Sequence, residues 1–101
     1  MENLYIVTVE RHTFKDGEIV DSFKFDSYFS DYELAKKHAK KMHADGMRMH
    51  RETNDQPEKI VTDVWLTLHE NCGGYFLYRC HKGHFTSHDY DGRLILSHCD
   101  D

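Results

Sequence analysis

Histidine and cysteine are the residues of this 101-residue chain with the clearest capacity for chemistry. Five of the nine histidines and all three cysteines fall in the last third, at His69, Cys72, Cys80, His81, His84, His88, His98 and Cys99. Thiolate and imidazole groups together are typical zinc ligands. His69 and Cys72 have the two-residue gap of a zinc knuckle, and Cys80 and His84 offer a second pair. These four residues are therefore the first candidates for a metal site.

The spacing of the two pairs argues against one shared zinc ion. They fall at opposite ends of a predicted hairpin, about seven residues apart, which corresponds to more than about 20 Å along a strand. A zinc ion binds its ligands at about 2.0–2.3 Å. We therefore predict no metal site and no cofactor. The odd number of cysteines also argues against a disulfide framework and favours free thiols in the cytoplasm.

Patterns for catalysis are incomplete. Cys72 on a glycine turn offers a nucleophile, but no third group is identified that would orient a histidine beside it. The triplet 84–86 matches one half of the paired His-x-Thr pattern of two-histidine phosphoesterases, and the second half is missing. The sequence has no glycine-rich phosphate loop and no carboxylate pair in apolar surroundings. We therefore predict that the chain is not an enzyme.

The charge of the chain is unevenly distributed. With 13 Lys and Arg against 18 Asp and Glu, the formal net charge is −5. Segment 36–51 has six cations and one acid, a net charge of +5, so the remaining 85 residues carry −10. Such asymmetry favours oriented docking to a partner and argues against a uniformly basic nucleic-acid binder. A cluster of lysines on a helix is equally typical of a solvated face.

Two segments of alternating apolar and polar residues near the N-terminus predict a β-hairpin. A two-residue turn would place core positions opposite charged ones. A three-residue turn over 15–17 instead pairs Val9 with Phe23. We therefore predict the three-residue turn, with Gly17 in the left-handed conformation and a bulge.

A helix is predicted to follow the hairpin. Ser30 and Glu33 have the spacing of a capping box, and Phe29 and Leu34 that of a hydrophobic staple. Gly46 is a natural C′ residue and predicts that the helix ends near it. One stripe of the helix is apolar: Leu34, Ala35, His38, Ala39 and Met42.

Strands are predicted in the C-terminal half as well. A polar connection that includes the helix-breaking segment 54–57 precedes them. In the third strand, the positions predicted to face the core are Ile60, Val64, Leu66 and Leu68. The overall prediction is an α+β fold over a single domain, residues 1–101. Its antiparallel sheet has about four to five strands in the order ββαβββ, with one main helix packed on one face.

Localisation follows from hydropathy. No apolar run approaches the roughly 18 residues that a membrane helix needs. The N-terminus does not have the pattern of a signal peptide. We therefore expect a soluble, cytoplasmic protein without a membrane partner.

Three surfaces are candidate binding sites. The acidic residues predicted to contact a partner are Asp16, Glu18, Asp21, Asp26, Asp63, Asp89 and Asp91. The basic face of the helix is predicted to consist of Lys36, Lys37, Lys40, Lys41 and Arg48. Aromatic side chains, which are favoured at interface hot spots, are predicted on the second sheet face at Tyr28, Trp65, Tyr75 and Tyr78.

These features favour a small non-enzymatic binding module, of the accessory kind that phages and mobile elements encode, that blocks a surface of a larger protein or nucleoprotein. An anti-defence inhibitor such as an anti-CRISPR is one concrete form, with the acidic residues occupying a basic nucleic-acid channel. The alternative is a nucleic-acid-binding regulator that uses the basic helix face. Homodimerisation through a sheet edge or the aromatic face is also expected, because the edges of small sheets need cover.

Overall fold

A computed structural model of the chain describes residues 4–70, 73–81, 84–88 and 94–99, with the side chains of residues 4–69, 77, 79 and 80. The elements follow one another in the order ββαββββ. They are β1 (Leu4–Lys15), β2 (Glu18–Phe29), α1 (Tyr32–Thr53), β3 (Glu58–Glu70), β4 (Gly73–His81), β5 (His84–His88) and β6 (Leu94–Cys99). The six strands form one antiparallel sheet with the spatial order β2-β1-β3-β4-β5-β6.

The core lies between α1 and one face of this sheet, which confirms the predicted α+β fold. Its buried residues are Tyr5, Val7, Val9, Ala35, Ala39, Val64, Leu66, Leu68, Leu77 and Cys80. The predicted alternation of β3 is confirmed over residues 64–68, because Val64, Leu66 and Leu68 are buried while Trp65 and Thr67 are half-buried on the other face. It does not extend to the start of the strand, where Ile60 is half-buried and residues 61–63 are all buried. The sheet has one strand more than the expected four to five, since β5 and β6 both pair in it.

The turn between β1 and β2 is shorter than predicted. Asp16 and Gly17 form it alone, with φ angles of 55° and 80°. Both angles lie in the left-handed region that two-residue type I′ hairpin turns require. Lys15 already pairs with Glu18, so the predicted three-residue loop is wrong, whereas the left-handed conformation of Gly17 is confirmed.

A bulge in β2 explains how the shorter turn still aligns the apolar residues. Val20 has no opposite residue in β1, and this shifts the pairing by one position. As a result Val9 lies opposite Phe25, rather than opposite the predicted Phe23. The apolar match was the correct criterion, and the chain meets it with a bulge inside the strand instead of an extra turn residue.

The helix begins one residue later than predicted. Asp31, in extended conformation, is the N-cap, and its Oδ2 accepts a hydrogen bond from the backbone N–H of Leu34 at 3.3 Å. Ser30 is therefore not the cap, and Leu34 is 58% exposed, so the predicted hydrophobic staple does not form. Phe29 instead packs against the imidazole ring of His38, with the ring centroids 5.3 Å apart.

The helix continues past the glycine at which it was predicted to end. Gly46 is buried within α1, and a Cβ atom placed on it would lie 2.6 Å from the Cβ of Thr62 in β3. The glycine thus permits close approach of helix and sheet rather than acting as a C′ residue. The helix ends at Thr53, before the segment 54–57 that was predicted to break it. There the Thr53 Oγ1 accepts a hydrogen bond from the backbone N–H of Ile60 at 3.0 Å.

Candidate functional site

One face of the sheet packs against α1, and no described element packs on the other, which we call the open face. Alternation along the strands places the even-numbered residues of β1 and the odd-numbered residues of β3 on this face. Its middle consists of two cross-strand rows, Asp26–Thr8–Trp65 and Lys24–Glu10–Asp63. Side chains of three adjacent strands are thereby brought together.

Aromatic and charged side chains lie close together in the row Asp26–Thr8–Trp65 and next to it. The Arg79 guanidinium lies 5.5 Å from the centroid of the Trp65 ring, within the range of a cation–π contact. The Thr8 hydroxyl donates a hydrogen bond to Asp26 Oδ1 at 2.7 Å, which orients this carboxylate. Tyr28, on the same face, is 62% exposed. Trp, Tyr and Arg are the residue types that contribute most at protein interfaces.

The predicted aromatic surface is therefore assembled in part. Tyr28 and Trp65 share the open face, as expected. Tyr75 and Tyr78 pair through their backbones with Leu68 and Leu66, and their side chains lie outside the described residues. Arg79 was not among the predicted surface residues, although it lies within the fourth strand that the sequence predicts.

The second row contains a group of side chains that the sequence analysis missed. One ligand atom from each of Glu10, His12 and Asp63 lies within 4.8 Å of the others, which is a donor set that divalent metals accept. The His12 Nε2 is 3.5 Å from Glu10 Oε1, and its Nδ1 is 2.7 Å from the Ser22 hydroxyl. Because both ring nitrogens have a partner, the imidazole is held in place without an added ligand.

The signal for this group was only partly present in the sequence. Glu10 and His12 are two residues apart on a strand, so they had to share a face. Asp63 joins them because β3 pairs with β1, and it is only 7% exposed. The neighbouring position of these two strands was not predicted, so the carboxylate opposite Glu10 could not be identified.

The outer edge of the sheet is unusually apolar. β2 is an edge strand, and every residue from Lys15 to Asp26 is exposed. Its exposed large apolar residues are Ile19, Val20, Phe23, Phe25 and Tyr28. The Phe23 and Phe25 rings stack with their centroids 5.9 Å apart and an interplanar angle of 14°. Exposed edge strands and grouped apolar side chains are both typical of association sites.

The predicted acidic surface is concentrated on the β1–β2 hairpin. Its exposed members there are Asp16, Glu18, Asp21 and Asp26. They do not share one face, because Asp26 is on the open face and Asp21 is opposite Thr13, on the helix side. Asp63 is buried, so a partner does not reach its carboxylate directly. Asp89 and Asp91 lie outside the described residues.

All five predicted basic residues lie on α1, and four of them are lysines of its first three turns. Within the part of the chain that is described, no carboxylate lies within ion-pair distance of these lysines, Lys36, Lys37, Lys40 and Lys41. The Lys36 Nζ lies 5.8 Å from the centroid of the Tyr32 ring. These four residues are available to an anionic ligand, and we call them the lysine face.

Arg48 differs from the lysines because acidic residues surround it. Its guanidinium is 3.8 Å from Asp45 Oδ1 and 3.8 Å from Glu52 Oε1. These two carboxylates offset the charge of Arg48. The cationic surface on the helix is therefore shorter than predicted and is centred on residues 36–41.

A shallow pocket of about 520 Å³ lies where turn 54–57 meets the ends of β1 and β3. The charged residues in its described lining are Lys15 and Glu58, which pair in the sheet. This lining contains no histidine, cysteine or pair of carboxylates. It does not bring together any of the groups considered above for catalysis.

Comparison with known proteins does not assign the chain to a family. No protein-family model, curated protein or solved structure matches it. Among the described residues, no helix combines the length and apolar character required to cross a bilayer. The open face, the β2 edge and the lysine face are therefore the features of the molecule that bear on function.

Proposed function

We propose that this chain is a small non-enzymatic binding module whose open face docks on a larger protein and blocks a surface of it. The observation that carries the proposal is a sheet face that no described element covers, on which Tyr28, Trp65 and Arg79 lie beside the oriented carboxylate of Asp26. Protein interfaces are enriched in these aromatic residues and in arginine, surrounded by a polar rim.

The charge of the surrounding residues indicates the kind of partner. Exposed carboxylates lie along the hairpin at Asp16, Glu18, Asp21 and Asp26, and Asp26 lies on the open face in the same row as Trp65. Electrostatic complementarity favours a cationic partner surface and accelerates association with it. A groove that normally binds nucleic acid has this character. An inhibitor of a nucleic-acid-binding defence protein, such as an anti-CRISPR, is a concrete form of the proposal.

Affinity capture with matched variants tests this proposal. The immobilised protein is exposed to a lysate of the cells in which it is normally made, at low and high salt. We expect one protein to be retained by the wild type and to be lost when Tyr28→Ala and Arg79→Ala are combined. Lys41→Ala, on the opposite side of the molecule, serves as the matched control and keeps the partner.

The salt dependence of partner retention distinguishes the possible outcomes. Retention that weakens as salt rises supports a charge-complementary interface. The purified partner then loses nucleic-acid binding when the wild-type protein is added. Absence of any partner at either salt concentration, or equal retention by the double variant, contradicts the proposal.

The lysine face supports a second candidate, a nucleic-acid-binding regulator. Lys36, Lys37 and Lys40, together with Glu33, line a shallow depression of about 290 Å³ on α1. Lysines spaced along a helix contact phosphates without regard to sequence. Charge reversal of the lysine face to glutamate abolishes duplex binding under this candidate, whereas capture of a protein partner through the open face is unaffected.

A further inference from the structure

The outer edge of β2 contains a regular segment with self-complementary side chains. The bulge at Val20 precedes it, and residues 21–29 continue without a register shift. No described strand pairs with this side of β2. The backbone groups directed away from β1 are therefore available to a further strand along the whole segment.

We propose that this segment binds the same segment of a second copy of the chain, antiparallel and centred on Phe25. Lys24 of one copy then lies opposite Asp26 of the other, and symmetry forms this ion pair twice. The Asp26 carboxylate is already oriented by Thr8 on the open face, where Lys24 also lies. Opposite charges in directly opposed positions stabilise paired strands.

Other symmetric registers are less favourable. Centring the pair on Lys24 or on Asp26 places like charges opposite each other, which is destabilising. Centring it on Phe23 places Lys24 opposite Ser22, so the ion pair between Lys24 and Asp26 is lost. A register shifted by an odd number of residues would place side chains of the helix side opposite side chains of the open face, so such registers are excluded. Among the symmetric registers near the middle of the strand, only the one centred on Phe25 places Lys24 opposite Asp26 and also a phenylalanine opposite a phenylalanine.

The apolar side chains support the same register. Phe23 and Phe25 stack on the helix side of β2 and are 49% and 37% exposed. Centring on Phe25 places the two copies of this ring opposite each other, with each Phe23 diagonal to the ring of the second copy. Diagonal neighbours are within reach of aromatic side chains. Four phenylalanine rings thereby cover one another and are removed from water.

The symmetry of this pairing determines on which side of the dimer the two open faces lie. Antiparallel strands in one sheet are related by a twofold axis perpendicular to the sheet. Both helices then lie on one side, and both open faces lie on the other. Dimerisation therefore leaves the proposed docking surface uncovered and presents it in two adjacent copies. The dimer goes beyond the proposed function, because its formation does not depend on any other partner.

Charge reversal with reciprocal rescue tests the register. Sedimentation equilibrium of the purified wild type is expected to show a dimer. Lys24→Glu and Asp26→Lys, each alone, place like charges together and weaken self-association about tenfold to a hundredfold. An equimolar mixture of the two variants restores both opposite-charge pairs, so the mixture forms a heterodimer. Circular dichroism verifies that these exposed substitutions leave the fold intact.

A cross-linking experiment provides an independent measurement. Phe25→Cys lies on the twofold axis, so it forms an intermolecular disulfide under mild oxidation. The matched control Phe23→Cys stays reduced, because its two copies are about 13 Å apart, beyond disulfide reach. The wild type, which has three cysteines, supplies the baseline. A monomeric wild type, no association in the mixture, or equal cross-linking at both positions overturns the proposal.

Discussion

Gly46→Ala tests the close approach of α1 to β3. In an ordinary helix this substitution stabilises the protein by about 0.8–1 kcal/mol. Here the added Cβ would lie 2.6 Å from the Thr62 Cβ and 2.9 Å from its Cγ2 and Oγ1. Carbon atoms pack optimally at about 3.5–4.0 Å, so helix and strand must move apart. Overpacking of this kind costs about 1–3 kcal/mol, so we expect a net destabilisation of up to about 2 kcal/mol.

A double-mutant cycle separates this steric effect from other roles of the glycine. Thr62→Gly removes the obstructing side chain, together with the hydrogen bond that Arg11 Nε donates to Thr62 Oγ1 at 3.3 Å. In that background, Gly46→Ala is expected to stabilise the protein by about 1 kcal/mol, as in an ordinary helix. The coupling energy between the two positions is therefore about 1–3 kcal/mol.

Urea unfolding followed by circular dichroism measures all four free energies. Lys41→Ala, at an exposed position of the same helix, is the control and changes stability by less than about 0.5 kcal/mol. The reasoning is refuted if Gly46→Ala stabilises the wild type. It is also refuted if the substitution costs the same in both backgrounds, because the glycine would then be required by the backbone rather than by Thr62.

Two further predictions concern the start of the helix. Asp31→Ala lowers the free energy of unfolding by about 1 kcal/mol in urea titrations, because it removes the N-cap acceptor, whereas Ser30→Ala has little effect; equal losses contradict the assignment. Burial, followed by the Glu33 carboxylate and Tyr5, raises the pKa of Tyr32 above its usual 10.0. The stability linked to Tyr32 is therefore complete below about pH 10 and is lost as the pH rises through its folded-state pKa. Tyr32→Phe removes this part of the alkaline decline in unfolding free energy; an unchanged pH slope in the variant argues against it.

Local patterns predicted much of the fold. The alternation of the buried Val64, Leu66 and Leu68 with residues of the other face depends only on the period of a strand, and the structure confirms it. Segment 54–57, which contains the single proline, was expected to break any helix, and α1 does not extend into it, although it runs past the predicted end at Gly46. In both cases the determining interactions lie within a few residues of one another, so no knowledge of the tertiary structure was needed.

The remaining features depend on contacts between distant residues. Gly46 has the same local signature whether it ends a helix or permits close packing, and only Thr62 distinguishes the two. A longer turn and a bulge at Val20 both align the apolar residues, so the pattern did not decide between them. The group of Glu10 and Asp63 requires the order of the strands, which local patterns do not contain.

The solvent exposure of β2 affects how freely its sequence can change. Its residues up to Asp26 are exposed, so the strand shields the edge of β1 while contributing little to the core. Surface substitutions typically alter stability by less than about 0.5 kcal/mol. Residues along β2 can therefore be exchanged at small cost in folding free energy. The specificity of this edge can thus diverge among descendants of the chain while the helix-covered half of the molecule stays constant.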